Sequence, residues 1–431
     1  LNMAYTHMTQ TKQNGFDFAD DNKLSGIGSG SANEEAVYVQ SLISSPATSP
    51  LDFNGGYTEL GAASQEIKIN PLREAYYSPI NLNKDNVTGQ AFFAIDFTKD
   101  LNWRNSFGVD YSNSGESRYT PAKLDETNQQ EFIDRDNMYY RFCSTLNYTL
   151  PQPKDSKHKL NALLGYEAWK ATWEGTSVKK SNYLDNLKFI DKQYQNPNLG
   201  DPEGPISGYK GAQSMMSTFA RVNYTFNRRY LLTATGRFDG SSTLAPENRW
   251  GFFPSFSLAW NADQELFMKK ITAKKKITQL KLRAGWGQTG NAGNNMGYIG
   301  SYRSVNTQYG AGKIYNTWLN PDLIWETNWQ VNAGIDASFF KNRLNLTFDA
   351  FYKKNNDLIV KAEPGPTLAS TAEAYLYTSV PDINAGSIKN VGFDITLTST
   401  NIQKDNLGGQ PFSWNTDFNF SFVRNEVVEL Q

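Results

Sequence analysis

The chain has 431 residues, 14% of them aromatic (10 Trp, 23 Tyr, 26 Phe), yet its hydrophobic content is only 39% and its mean hydropathy is -0.58. Lys and Arg number 42 against 43 Asp and Glu, a net charge of -1, which removes the cationic footprint that phosphate binding needs and argues against a nucleic-acid partner. One cysteine (Cys143) and two histidines (His7 and His158) supply neither a disulfide framework nor a zinc cage, and no run of about 18 apolar residues offers a transmembrane helix.

Helical periodicity is almost absent, whereas apolar and polar residues alternate with period two, the mark of a strand with two unlike faces. Read in chain order, this predicts thirteen strands at residues 1–9, 90–99, 102–112, 138–150, 158–172, 215–227, 229–240, 251–261, 278–288, 327–340, 342–354, 390–400 and 411–424. In the seventh, Leu232, Ala234 and Phe238 oppose Thr233, Thr235, Arg237 and Asp239. In the last, Phe412, Trp414, Phe418, Phe420 and Phe422 oppose Ser413, Asn415, Asp417, Asn419 and Ser421. Asn (43 residues) and Gly (33) then fill turns and loops.

The connections alternate between long and short, with only the pair at 241–250 and 262–277 breaking the rule. A meander whose two ends differ in this way fits an outer-membrane barrel with long extracellular loops and short periplasmic turns. Because a bilayer requires every backbone polar group to be paired within the protein, such strands must close into a barrel. The expected fold is therefore all-β, a transmembrane antiparallel up-and-down β-barrel with its wet face toward the lumen. Trp103, Tyr111, Tyr148, Tyr166, Trp260, Trp329, Phe339 and Trp414 are expected near strand ends, at headgroup level. A large soluble sandwich or propeller is the competing fold, since its core aromatics alternate too.

Motifs for chemistry are weak. Gly285-Trp286-Gly287-Gln288-Thr289-Gly290 matches G-x-G-x-x-G, but the loop-forming Asn291-Ala292-Gly293-Asn294-Asn295 follows where a helix N-terminus should receive a pyrophosphate. Gly26, Gly28 and Gly30 lack the Lys-Ser/Thr of a phosphate loop, and Asp17, Asp20 and Asp21 lack the spacing of a calcium loop. Residues 33–45 could form a short helix capped by Asn33. Residues 262–277 carry Lys269, Lys270 and Lys274 to Lys276, which read as a solvated turn before a nucleic-acid or lipid-headgroup patch. Cys143, expected on the wet face between Arg141 and Thr145, has no histidine expected beside it. No catalytic constellation and no cofactor site emerges, so the chain is not expected to be an enzyme.

Several stretches resemble the SusC/RagA family of TonB-dependent outer-membrane transporters of Bacteroidota. They are RYLLTATGRFDGSSTLAPENRWGFFPSFSLAW (229–260), LKLRAGWGQTGN (280–291), NPDLIWETNWQVNAGIDASFFKNRLNLTFDAFYKKNND (320–357) and NAGSIKNVGFDITL (384–397). The resemblance implies a barrel of about 22 strands, an N-terminal plug with a TonB box, the TonB-ExbB-ExbD complex as energy source and a SusD-like surface lipoprotein as lid. Residues 1–431 are then expected to be part of the barrel domain, about 13 of those strands, without the plug and the C-terminal strands.

The expected role is import of a polar nutrient across the outer membrane, an oligosaccharide before a peptide of the RagA type. Arg237, Asp239, Arg249, Asn291 and Trp318 are the candidate substrate or lid contacts, and outer-membrane lipid surrounds the other face. A non-transporting surface adhesin or glycan-binding β-protein is the alternative from another class. An outer-membrane enzyme would require hydrolytic activity in the purified barrel.

Overall fold

The computed structural model describes residues 1–13, 79–120, 127–153, 156–183, 197–202, 206–268, 276–294, 297–307, 310–362, 380–407 and 410–429. Among these residues eighteen strands form: β1 (Asn2–Gln13), β2 (Pro79–Thr98), β3 (Leu101–Thr120), β4 (Gln129–Thr149), β5 (His158–Ser181), β6 (Asp201–Pro202), β7 (Ser207–Phe226), β8 (Tyr230–Ser241), β9 (Trp250–Asn261), β10 (Ile277–Asn291), β11 (Ser301–Thr307), β12 (Gly310–Thr317), β13 (Glu326–Phe339), β14 (Leu344–Asn356), β15 (Ile359–Lys361), β16 (Asp382–Asn384), β17 (Ser387–Leu407) and β18 (Gln410–Glu429). Among the described residues the helical segments are single 3-10 turns such as Ala262–Gln264 and Leu266–Met268.

Hydrogen-bonded neighbours follow chain order, β1-β2-β3-β4-β5-β7-β8-β9-β10-β13-β14-β17-β18, with β6 beside β5. Every strand on that path coincides with one predicted by alternation. They differ in length. β2, β3, β4, β5 and β7 run well past their expected ends on the long-connection side, while β17 extends mainly toward its short connection to β18. Beyond the apolar band both faces turn polar, so alternation fades while the ladder of backbone hydrogen bonds continues. For the same reason Tyr111 and Tyr166 lie inside β3 and β5, whereas Trp103, Tyr148, Trp260, Trp329, Phe339 and Trp414 lie near strand ends as expected. The hairpins β11–β12 and β15–β16 were not foreseen, because short strands within long connections carry too few alternations to register.

The fold divides into two compact units. The smaller holds Leu1–Ala91, Gly108–Tyr140 and Ala171–Ala212. In it Asn128 and Tyr183 clamp strand ends, Asn128 Nδ2 donating to the Tyr183 carbonyl (2.8 Å) and Tyr183 N–H to Asn128 Oδ1 (2.6 Å). The larger holds Phe92–Phe107, Arg141–Lys170 and Gln213–Gln431. Its apolar face is exposed over Leu258 (60%), Phe252 (59%), Phe256 and Phe422, as expected of side chains facing lipid rather than a core. Its small buried core lies instead at the loops, where Leu244, Phe253, Ala292, Leu323 and Trp325 pack with Met215 and Ile359.

The literal glycine motif lies within β10, which ends at Asn291, so the dinucleotide reading has no helix to stand on. The possible helix at 33–45, Gly26, Gly28, Gly30, Asp17, Asp20, Asp21, Lys269, Lys270, Lys274 and Lys275 lie outside the described residues.

Candidate functional site on the wet face of the larger unit

Strand alternation places Arg237 and Asp239 on the face opposite Phe238. Arg237 Nε donates to Asp239 Oδ1 at 2.7 Å and Oδ2 at 3.0 Å, and its Nη2 donates to Ser217 Oγ at 2.8 Å. The same Nη2 lies 3.5 Å from Glu167 Oε2, and Arg141 Nε lies 2.6 Å from Glu167 Oε1. Side chains of β4, β5, β7 and β8 thus share one network. The guanidinium also sits 5.3 Å from the Phe219 ring centroid, a cation–π contact, while the ring covers Gly165, where a Cβ would come within 2.3 Å of it.

A second feature was not anticipated. A shallow depression of about 290 Å³ opens on β8, β9, β10 and β13, walled by Thr233, Ser255 and Ser257 on one side and Asn328, Gln330 and Asn332 on the other. Gly285 and Gly287 make room for it: a Cβ at Gly285 would meet Asn332 Oδ1 at 2.7 Å, and one at Gly287 would meet Ser255 Cβ at 3.0 Å. Its polar lining is hydroxyl and amide, Phe256 and Trp286 complete the wall, and none of the lining residues is ionisable. Asn328 Oδ1 is buried there with no hydrogen-bond partner, an acceptor that a donor-bearing ligand would satisfy. The signal was present in the sequence, since alternation aligns Ser255, Ser257, Gly285, Gly287, Gln330 and Asn332 on one face; the register that makes them neighbours was not. Along the same face Arg283 bridges Asp336 (2.9 Å) and Asp349 (3.0 Å), so its charge is compensated.

Arg249 and Asn291 border the loop core. The Arg249 carbonyl accepts from Trp325 Nε1 and from Ser241 N–H, both at 3.1 Å, while its own Nε is buried without a partner. Asn291 Oδ1 accepts from Gly293 N–H at 3.1 Å and its Nδ2 donates to Glu326 Oε2 at 3.4 Å. Thr243 Oγ1 donates to the Ala292 carbonyl at 2.9 Å, tying the two loops. Trp318 stands exposed between β12 and β13. The structure therefore joins Arg237 to Asp239, and sets Arg249 and Asn291 around one core.

His158 Nδ1 is 2.7 Å from Tyr224 Oη and His7 Nδ1 is 2.8 Å from Asp85 Oδ1, so neither histidine attends Cys143. Among the described residues no group of three or more His, Cys, Asp or Glu could hold a metal ion.

A meander with one lipid-type face, one polar face, and connections that alternate long and short defines a section of an outer-membrane β-barrel. Residues 15–429 match the family model described as TonB dependent receptor-like, beta-barrel, and the chain belongs to that family. It is 30% identical over 368 residues to TonB-dependent receptor P3 of Formosa agariphila, covering 84% of this chain and 35% of that protein. It is 32% identical over 237 residues to TonB-dependent receptor SusC of Bacteroides thetaiotaomicron, covering 52% of this chain and 22% of that one. The structure of the RagAB peptide transporter superposes with a TM-score of 0.74 at 22% identity, covering 88% of this chain and 41% of that chain. The chain thus spans about a third of the length of Formosa receptor P3. The family consists of outer-membrane proteins, transporters rather than enzymes.

Proposed function

We propose that this chain forms part of the barrel of an importer that carries an uncharged oligosaccharide across the outer membrane, working with a SusD-like surface lipoprotein and drawing energy from TonB. The observation that carries the reading is the depression on the wet face. Its hydroxyl and amide side chains match the alternating donors and acceptors of sugar hydroxyls, Phe256 and Trp286 stand beside them, and the absence of ionisable residues from the lining gives a charged ligand no counter-ion. Arg237, Asp239, Arg249, Asn291 and Trp318 remain candidates for contact with substrate or lid, with Arg237 and Asp239 first committed to each other.

A peptide importer is the second reading. It is favoured by the likeness to the RagAB transporter and by the ion pairs of Arg237 and Arg283, which could re-pair with peptide termini. Calorimetry on the full-length receptor with its lipoprotein, titrated with neutral glycans and with peptides in parallel, separates the two. Heat with peptides alone would overturn the glycan assignment, and heat with neither would overturn import of either class.

A further inference from the structure

The short-turn end of the larger unit carries exposed apolar side chains and cations whose role the transport reading leaves unexplained. The described start of the β9 to β10 connection, residues 262–268, is tied to the apolar face. Glu265 accepts from Tyr230 Oη (2.7 Å), Trp260 Nε1 (3.3 Å) and Arg229 Nη1 (2.9 Å). Tyr230 and Trp260 are register partners on the apolar face, in line with Leu232 and Leu258. This tether holds residues 262–268 against the lipid-facing side, with the Phe267 ring 6.4 Å from that of Trp260. Met268 is buried, while Leu266 and Phe267 are 67% and 65% exposed, extending the apolar surface past the ends of the strands.

The neighbouring turn repeats the pattern. Phe340 is 58% exposed at φ 54°, followed by Lys341 at 61° and Asn342 at 64°. An aromatic residue is costly in that left-handed region, where Gly or Asn would serve, so closing the turn does not explain its presence. Phe340 N–H donates to the Lys276 carbonyl at 3.1 Å, joining the two turns. Lys276, Lys341 and Arg343 are exposed along them, as is Arg228 in the β7–β8 turn, whose carbonyl accepts from Asn261 Nδ2 at 2.7 Å. The acids nearby are engaged, Glu265 as above and Asp263 with Leu280 N–H and Gln264.

The geometry points to a lipid-binding foot: Leu266, Phe267 and Phe340 enter the interfacial layer of the periplasmic leaflet, and Arg228, Lys276, Lys341 and Arg343 hold anionic phospholipid headgroups. The occupant follows from continuity with the lipid-facing surface and from the sign of the charge. Aromatic rings favour the headgroup level, and clustered cations beside them select anionic lipid.

The test uses the full-length receptor in nanodiscs of phosphatidylethanolamine alone or mixed with phosphatidylglycerol, with retained lipids counted by native mass spectrometry. Preferential retention of phosphatidylglycerol is expected, falling about fivefold for each cation removed in K276Q and K341Q. F340G should reduce retention of both lipids while easing the turn. Equal retention of the two lipids, or a preference unchanged in the K276Q/K341Q double variant, would overturn the assignment. These charge variants leave every strand intact, so they decide the matter even if L266S/F267S fails to assemble.

Discussion

The Nε of Arg237 lies 2.7 Å from Oδ1 of Asp239, two residues along the same strand, and through Nη2 the same guanidinium reaches Ser217. Asp239 is only 7% exposed, so its charge depends on this partner. Arg237→Ala should destabilise the barrel by about 1–3 kcal/mol, the cost of leaving a largely buried acceptor unpaired, whereas Arg237→Ala combined with Asp239→Asn should recover part of that loss. Urea unfolding in lipid vesicles, followed by tryptophan fluorescence, reads both. Equal stability of wild type and Arg237→Ala would show that the network contributes nothing.

Gly165 and Phe219 make a second dependent pair. A Cβ at residue 165 would sit 2.3 Å from the Phe219 ring, so Gly165→Val should cost about 1–3 kcal/mol through overpacking. Adding Phe219→Ala should relieve the clash. A double-mutant cycle by the same unfolding assay should therefore give a non-additive result; additivity would mean the ring is free to move aside.

Leu323 is 1% exposed in the loop core. Leu323→Ala should remove about 2–4 kcal/mol locally. Hydrogen exchange should then quicken in residues 242–249 and 320–325 while β8, β9 and β10 keep their protection. Uniform loss of protection would show that the loops and strands unfold as one unit.

The Tyr230 hydroxyl, with help from Trp260 and Arg229, holds the Glu265 carboxyl below its ordinary pKa of 4.5. The folded turn therefore favours the ionised form. Its contribution is complete above the unfolded value and disappears as pH falls through the lower folded value. Limited proteolysis within residues 262–268 should accelerate on acidification below about pH 4.5, and in Glu265→Gln that dependence should flatten. A Glu265→Gln profile parallel to wild type would remove Glu265 as the titrating group.

Asn328→Ala should leave unfolding unchanged within about 0.5 kcal/mol, because Oδ1 makes no internal hydrogen bond. Affinity for a bound neutral glycan should weaken by about 0.5–1.5 kcal/mol. Unaltered affinity in calorimetry would place the ligand elsewhere.

Most strands were legible because a bilayer on one side and water on the other impose a strict two-residue period. Leu232, Ala234 and Phe238 against Thr233, Arg237 and Asp239 is a pattern that survives without any homologue. Strand length was not legible: past Tyr111 in β3 every residue but the buried Tyr119 is polar or glycine, and the backbone ladder carries the strand to Thr120. Arg237 and Asp239 could be placed on one face, yet nothing local announced that Glu167 and Ser217 would meet them from other strands. The neutral depression was hidden for a similar reason, since Gly285 opens space only because register sets Asn332 and Ser257 beside it.

Composition and period two by themselves determined the class: an all-β chain with a lipid face, a wet face and unequal ends, because those properties repeat along each strand and need no knowledge of its neighbours. Tertiary structure alone decided which side chains share a site. Cross-strand register turns separate residues into the Arg237 network, the depression over Gly285 and Gly287, and the turn at Glu265 tethered to the lipid-facing side. Each depends on contacts between residues distant in sequence, which a one-dimensional pattern does not contain.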